Sequence, residues 1–224
     1  MNEPQLILAS SSPRRQELIR SLGLAFDIRV SDADETTPPG MEPADIVKTL
    51  AKRKAQVVFS NLQGGSSVII GADTIVVCEG EVLGKPHDEQ DAFRMLRKLA
   101  GRTHEVYSGI ALIGQAEATT ESGLAEEIRY GTAGGYRIIA RKPDDRPASL
   151  LGWSMTKVRF KPLSDGEISR YIARGESADK AGAYAIQNVG ATLVDGIEGD
   201  YFTVVGLPVS LLAEMLSQLD VAVL

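Results

Sequence analysis

The spacing of apolar positions changes along the chain, and each change marks an element. "QLILA" (5–9) is a continuous apolar run that predicts a short strand, and "PRRQELIRSLG" (13–23) then places Leu18, Ile19 and Leu22 on one helical face with Gly23 as a stop. "AFDIRV" predicts a second strand, followed by an acidic loop that ends in Pro38 and Pro39. In "PADIVKTLAKRKAQVVF" (43–59), Ile46, Val47, Leu50, Ala51, Ala55, Val57 and Val58 gather on one arc at helical spacing. "SVIIGADTIVV" (67–77) is apolar almost throughout, as a buried strand is, and "EGE" turns it into a return strand ending at "GKP".

"DEQDAFRMLRKLAG" (88–101) predicts an amphipathic helix capped by Asp88 and stopped by Gly101, with Phe93, Leu96 and Leu99 inward. "THEVYSGIALIG" (103–114) alternates as a strand does. From Gly114 to Trp153 the pattern dissolves into Gly, Ala, Thr and charge, with only "YRIIA" strand-like, so a long excursion from the sheet is expected at about 114–153. Regularity returns with the strand "SMTKVRF" and the helix "LSDGEISRYIARG", which carries a Ser164 to Glu167 capping box. "EGDYFTVVGLPVSLLAEMLSQL" is expected to give a last strand, a turn from Gly206 to Pro208 and a closing amphipathic helix. No repeat and no interdomain linker interrupts the pattern, so residues 1–224 read as a single domain.

Composition narrows the function classes. A chain of 224 residues, 43% hydrophobic and 24% charged, is ordinary for a globular protein with a sizeable core. A net charge of −6 argues against a nucleic-acid polymer held on a broad basic surface, whereas a small phosphorylated ligand needs only a local cluster of cations. No stretch approaches a membrane span, and "MNEPQLIL" lacks a basic n-region and a long apolar h-region, so a cytoplasmic location is expected. Cys78 is the single cysteine, which permits no internal disulfide and suits a reducing compartment. His87 and His104 stand in separate elements without ligand spacing and read as structural or surface residues.

Three departures from ordinary patterning suggest chemistry. Ser12 as N-cap and Pro13 as first helical residue would put Arg14 and Arg15 in a first turn, where the helix dipole favours acids. An anion bound there reverses the conflict, since exposed amides, serine hydroxyls and both guanidinium groups then face one charge. Lys54 falls within the apolar arc of its helix, where a lysine either snorkels past the edge of the core or reaches an anion in a cleft. Asp73 sits in an apolar run, where a charge is costly unless paired, hydrogen-bonded or bound to metal. Beside it, Gly71 admits a close approach of backbone or ligand, and the return strand delivers Lys85. In "SADKAGAYAIQNVGATLV", Asp179 and Lys180 precede small residues against which a flat ring can lie, and the amide of Gln187 can pair with a base edge. No G-x-x-x-x-G-K-[ST] loop is present, which counts against a P-loop enzyme, and the double glycine near 134 lacks the dinucleotide fingerprint.

Taken in order and spacing, "LASSSPRRQEL", "GADTIVV", "GKP", "DAFRMLRKLAG", "DKAGAYAIQ" and "VVGLP" resemble the Maf family of nucleotide pyrophosphatases, over nearly the whole chain apart from 114–153. The resemblance implies an α/β fold of the inosine-triphosphatase-like class, an elongated mixed β-sheet with flanking helices and two lobes around a cleft. It implies hydrolysis of a nucleoside triphosphate to the monophosphate and pyrophosphate, house-cleaning of nucleotide pools including modified pyrimidine triphosphates, and a homodimer. By the same resemblance Ser10, Arg14, Arg15, Lys54 and Lys85 bind phosphate, Asp73 is the catalytic proton acceptor, and Glu35 with Asp73 holds Mg²⁺ or Mn²⁺. Asp73 or a metal-bound hydroxide would then deliver the attack on the α phosphorus.

Arg14, Thr74 and Gln187 match positions that set substrate choice, and "SPRR", "GADT" and "AYAIQ" are similar to the branch preferring dTTP and UTP. In the branch preferring 7-methyl-GTP a tryptophan commonly follows the proline, and this chain lacks it. The same chemistry on 7-methyl-GTP is one alternative; a non-catalytic nucleotide-binding regulator of septum formation, as an older family name suggests, is another. Arg53 stands where relatives often carry an acid, Ser108 stands where threonine is usual, and the 114–153 excursion is longer than the usual connection.

Overall fold

The computed structural model describes residues 4–62, 66–114, 127–141 and 147–223. In chain order its elements are β1 (Gln5–Leu8), α1 (Pro13–Ser21), β2 (Phe26–Ile28), α2 (Pro43–Ser60), β3 (Ser67–Cys78), β4 (Glu81–Leu83), α3 (Glu89–Leu99), β5 (Thr103–Gly114), β6 (Ile128–Arg129), β7 (Gly134–Arg141), β8 (Pro147–Phe160), α4 (Asp165–Ile172), β9 (Val194–Glu198), α5 (Tyr201–Val205) and α6 (Val209–Ser217). One mixed sheet runs β2-β1-β3-β5-β8-β7-β6, with β4 added to β3 and β9 to β8. β1 is parallel to β2 and β3, while β3, β5, β8 and β7 pair antiparallel.

β3 is apolar on both faces because both are covered. Alternate residues face opposite ways along a strand. Ile69 accordingly packs with Ala51, Ala55 and Val58 of α2, while Val68 and Ile70 join the larger core with residues of α3, α4 and α6. The helices form for the reasons their sequences supply. Asp88 caps α3 by accepting from the Asp91 amide, and Ser164 with Glu167 forms the expected capping box on α4. Phe93 is only half-buried, and the inward positions of α3 are Ala92, Met95, Leu96 and Leu99.

Two expectations are corrected. Much of the stretch from Gly114 to Trp153 lies in the sheet: β7 contains "YRIIA", and β8 starts at Pro147, so "SLLGW" continues directly into "SMTKVRF". The ladder from Ile113↔Ser149 to Thr103↔Arg159 makes this strand, and a partner so distant in sequence leaves little local pattern. The rest of that stretch, 115–126 and 142–146, is outside the described residues. Secondly, Tyr201–Val205 is a short helix, and the last strand is Val194–Glu198. Asp200 accepts from the amides of Phe202 and Thr203, and Gly206 ends the turn at φ 118°, so caps at both ends override a β-branched sequence.

Candidate active site

The site begins where α2 touches the sheet. A Cβ on Gly71 would lie 2.2 Å from the Ala51 carbonyl oxygen, and one on Gly109 would lie 2.3 Å from that of Val47. The helix backbone therefore rests directly on β3 and β5. Asp73 lies opposite Gly109 in that ladder. At this close approach Lys54 reaches across the face of the helix, and its Nζ lies 2.5 Å from Asp73 Oδ1 and 2.7 Å from Glu35 Oε1. Lys54 and Asp73 side chains are 13% and 10% exposed, against 53% for Glu35, so one cation joins a nearly buried carboxylate to an open one. The hydrogen bond from Lys54 holds the Glu35 carboxyl below the ordinary glutamate range against the opposing effect of burial, with the charges of Lys85 and Arg15 acting the same way as Lys54.

The β1–α1 loop forms the adjacent wall. Ser12 occupies the N-cap of α1 without a side-chain cap bond; instead the buried Ser10 Oγ accepts from the Ser12 amide and from Arg15 Nη1, each at 3.2 Å. Arg15 also donates from Nε to the Gly206 carbonyl at 2.9 Å and from Nη2 to Thr74 Oγ1 at 3.2 Å. Burial pulls its guanidinium below its ordinary range, with the Asp73 charge opposing. Arg15 is thus the clasp that ties the first loop to β3 and to the α5–α6 turn. Thr74 Oγ1 lies 2.8 Å from Ser108 Oγ, whose hydroxyl donates to the Thr203 carbonyl at 2.8 Å. With the Ser108 proton committed to that carbonyl, Thr74 is the donor between the two hydroxyls. Thr74 Oγ1, which accepts from Arg15 and lies 3.4 Å from the Gly206 carbonyl oxygen, keeps one acceptor lone pair.

Gln187 arrives on the segment between α4 and β9, which the fold holds at several points. The Tyr171 hydroxyl accepts from the Ala185 amide at 3.1 Å, and Tyr184 OH lies 2.8 Å from His104 Nε2. His104 is buried, its Nδ1 has no partner among the described residues, and burial lowers it to about 4. Its structural reading is thereby met. Asp179 and Lys180 pair with each other at 2.5 Å.

Ser10, Arg14, Arg15, Glu35, Lys54, Asp73, Thr74, Lys85 and Gln187, the residues singled out from sequence, all line one cleft of about 770 Å³. Arg14 and Lys85 also face this cleft, and their charges act on Asp179 and Glu35 respectively. Glu35 and Asp73 converge on a single positive charge, Lys54 Nζ, and these two carboxylates are the residues that could hold a hard divalent cation. No group of three or more His, Cys, Asp or Glu suited to a metal occurs among the described residues, so a cation here would have only these two carboxylates from the described residues. Sequence reasoning missed the part played by Ser108 and the Gly206 carbonyl. A lone serine in the apolar strand "YSGIALIG" was the available sign, and the pairing Thr74↔Ser108 gives it meaning.

Residues 5–219 match the family described as "Maf-like protein". The chain is 42% identical over 220 residues to the dTTP/UTP pyrophosphatase of Pelotomaculum thermopropionicum, covering 98% of this chain and 99% of that one. It is 43% identical over 219 residues to the dTTP/UTP pyrophosphatase of Geobacter sulfurreducens, covering 98% of each chain. The corresponding protein of Symbiobacterium thermophilum is 42% identical over 214 residues, 96% of this chain and 93% of its own. With the family match spanning the sheet, the cleft and all nine of the residues singled out from the sequence, the chain belongs to the Maf family.

Proposed function

We propose that this protein hydrolyses dTTP and UTP between the α and β phosphates, releasing the nucleoside monophosphate and pyrophosphate. The observation that carries the proposal is the Lys54–Asp73 pair on the floor of a cleft that also holds Arg14, Arg15 and Lys85. The names of the three relatives support dTTP and UTP as substrates.

In this reading the phosphate chain lies along the β1–α1 loop. Arg14 and Lys85 donate to it. Arg15 spends three of its five N–H groups on Gly206, Ser10 and Thr74, and keeps two for a phosphate oxygen in a fixed direction. A divalent cation held by Glu35 and Asp73 would neutralise charge on the phosphates and favour attack on the α phosphorus. Asp73 Oδ1, held by Lys54, would be the oxygen shared with the cation, and Oδ2, with no hydrogen bond among the described residues, takes the proton of the attacking water. Gln187 pairs with the base edge while Thr74 offers its lone pair. A buried hydrogen bond of this sort contributes about 1–3 kcal/mol of discrimination. A second copy of the chain, to which the family resemblance points, and a reducing compartment, which suits the lone Cys78, complete the proposal. Among the described residues no helix is long and apolar enough to cross a membrane.

The test is pyrophosphate release from dTTP, UTP, 7-methyl-GTP and the common triphosphates, for wild type and Asp73→Asn. Turnover of dTTP and UTP above the others, lowered about a thousandfold by the substitution, is expected. Tight nucleotide binding without turnover would overturn the proposal.

A further inference from the structure

The acidic segment between Ile28 and Pro43 has no regular secondary structure, yet it delivers Glu35 to a fixed position. Two consecutive residues of α2 account for this. Lys54 takes the Glu35 carboxylate, and Arg53 takes the backbone on either side of it: its Nη1 donates to the Asp34 carbonyl at 3.0 Å and also to the Thr36 carbonyl. The two carbonyls share one donor nitrogen because the loop is turned on itself. Asp34 accepts from the Thr36 amide at 2.9 Å and from the Thr36 hydroxyl at 2.8 Å, an Asx turn that brackets Glu35.

We propose that Arg53 is a positioning residue that clamps the carbonyls flanking Glu35 and so holds its carboxylate beside Lys54 and Asp73, ready for a divalent cation. The inference rests on the role given to Glu35 in the proposed hydrolysis. An arginine suits the task, since its rigid planar fork is preorganised for hydrogen bonding. It also gives a use to the basic residue that directly precedes Lys54 on α2.

The experiment uses the full chain, with Arg53→Ala, Glu35→Gln and the double substitution. In metal-free, nucleotide-free protein, hydrogen exchange at the amides of residues 33–37 is expected to quicken by about fivefold in Arg53→Ala, with β3 unchanged. In dTTP hydrolysis the Mn²⁺ concentration giving half the maximal rate is expected to rise about threefold to tenfold, while the rate at saturating Mn²⁺ stays within about twofold. On the Glu35→Gln background, Arg53→Ala should add nothing, because a residue acting through Glu35 has nothing left to position. Unchanged exchange at 33–37 overturns the clamp, and so does a Mn²⁺ effect of the same size on both backgrounds. If Glu35→Gln alone leaves hydrolysis and its Mn²⁺ dependence intact, the failure lies in the role given to Glu35, while the exchange result still decides whether Arg53 holds the loop.

Discussion

On the floor of the cleft Asp73 lies in the middle of a twelve-residue strand, paired to β5 along one side and roofed by a helix that touches the sheet backbone. At the rim Glu35, Lys85 and Gln187 lie on segments without regular strand or helix and reach the same space from the side. In the proposed reaction the floor carries the groups whose relative position sets the chemistry, and the rim carries groups that hold the ligand and the cation. A carboxylate that must accept a proton tolerates little displacement, whereas recognition gains from parts that adjust on binding. Substitutions at the floor should therefore cost stability and activity together, and substitutions of Lys85 and Gln187 at the rim should cost recognition alone.

The sharpest way to break this division is Gly71→Ala. The added Cβ would meet the Ala51 carbonyl, part of a helix backbone that cannot rotate away, so α2 must lift from β3. Overpacking of that kind costs about 3 kcal/mol, which is about 6–12 °C in Tm for a chain of this length. Hydrolysis should fall with it, since lifting α2 draws Lys54 away from Asp73. Calorimetry and pyrophosphate release on the same preparation check both, and a lower Tm with full activity would show that the floor is less exacting than its packing implies.

A second effect tests the link between floor and rim. His104 belongs to β5 but bonds Tyr184, a residue of the segment that carries Gln187. Burial lowers His104 to about 4, whereas in the unfolded chain it titrates at its ordinary value near 6.5. Between those values the unfolded chain takes up a proton that the native protein refuses, so stability is complete above the unfolded value and declines as pH falls. About 2 kcal/mol should be lost between pH 7 and pH 5. His104→Gln, which keeps a hydrogen-bonding side chain, should flatten that part of the profile in urea titrations. An unchanged slope would place the proton uptake elsewhere.

How much of this was legible in the sequence follows the same division. Asp73 and Lys54 stood out because a charge in an apolar strand and a lysine on an apolar helical arc break a local rule, and the fold brings those two together. The cap of α4 was legible for the same local reason. Features that depend on distant partners were not. The continuity of β8 from Pro147 rests on β5, and Ser108 acquires its bond to Thr74 from strand register. Arg53 showed in the sequence as an unexplained basic residue, and its target, two backbone carbonyls in a loop, has no sequence signature. The helix at Tyr201–Val205 was misread because three β-branched residues in a row outweigh, in a propensity reading, the single aspartate that caps it.

The smallest effect on stability is expected at Gln187, and there the comparison becomes most specific. The side chain is half-buried at the edge of the cleft and makes no hydrogen bond to other described residues, so removing its amide leaves no protein group unpaired. Gln187→Leu should move Tm by no more than about 1–2 °C, as surface substitutions usually do. Its effect should appear in the ratio of kcat/KM for dTTP and UTP to that for the purine triphosphates, which should fall about tenfold to a hundredfold if the amide reads the base. Because Asp73 and its contacts are untouched, the rate at saturating dTTP should change much less than that ratio. If kcat falls as far as kcat/KM, Gln187 acts in the chemical step and the boundary between floor and rim must be redrawn to include the segment that Tyr171 and His104 hold in place.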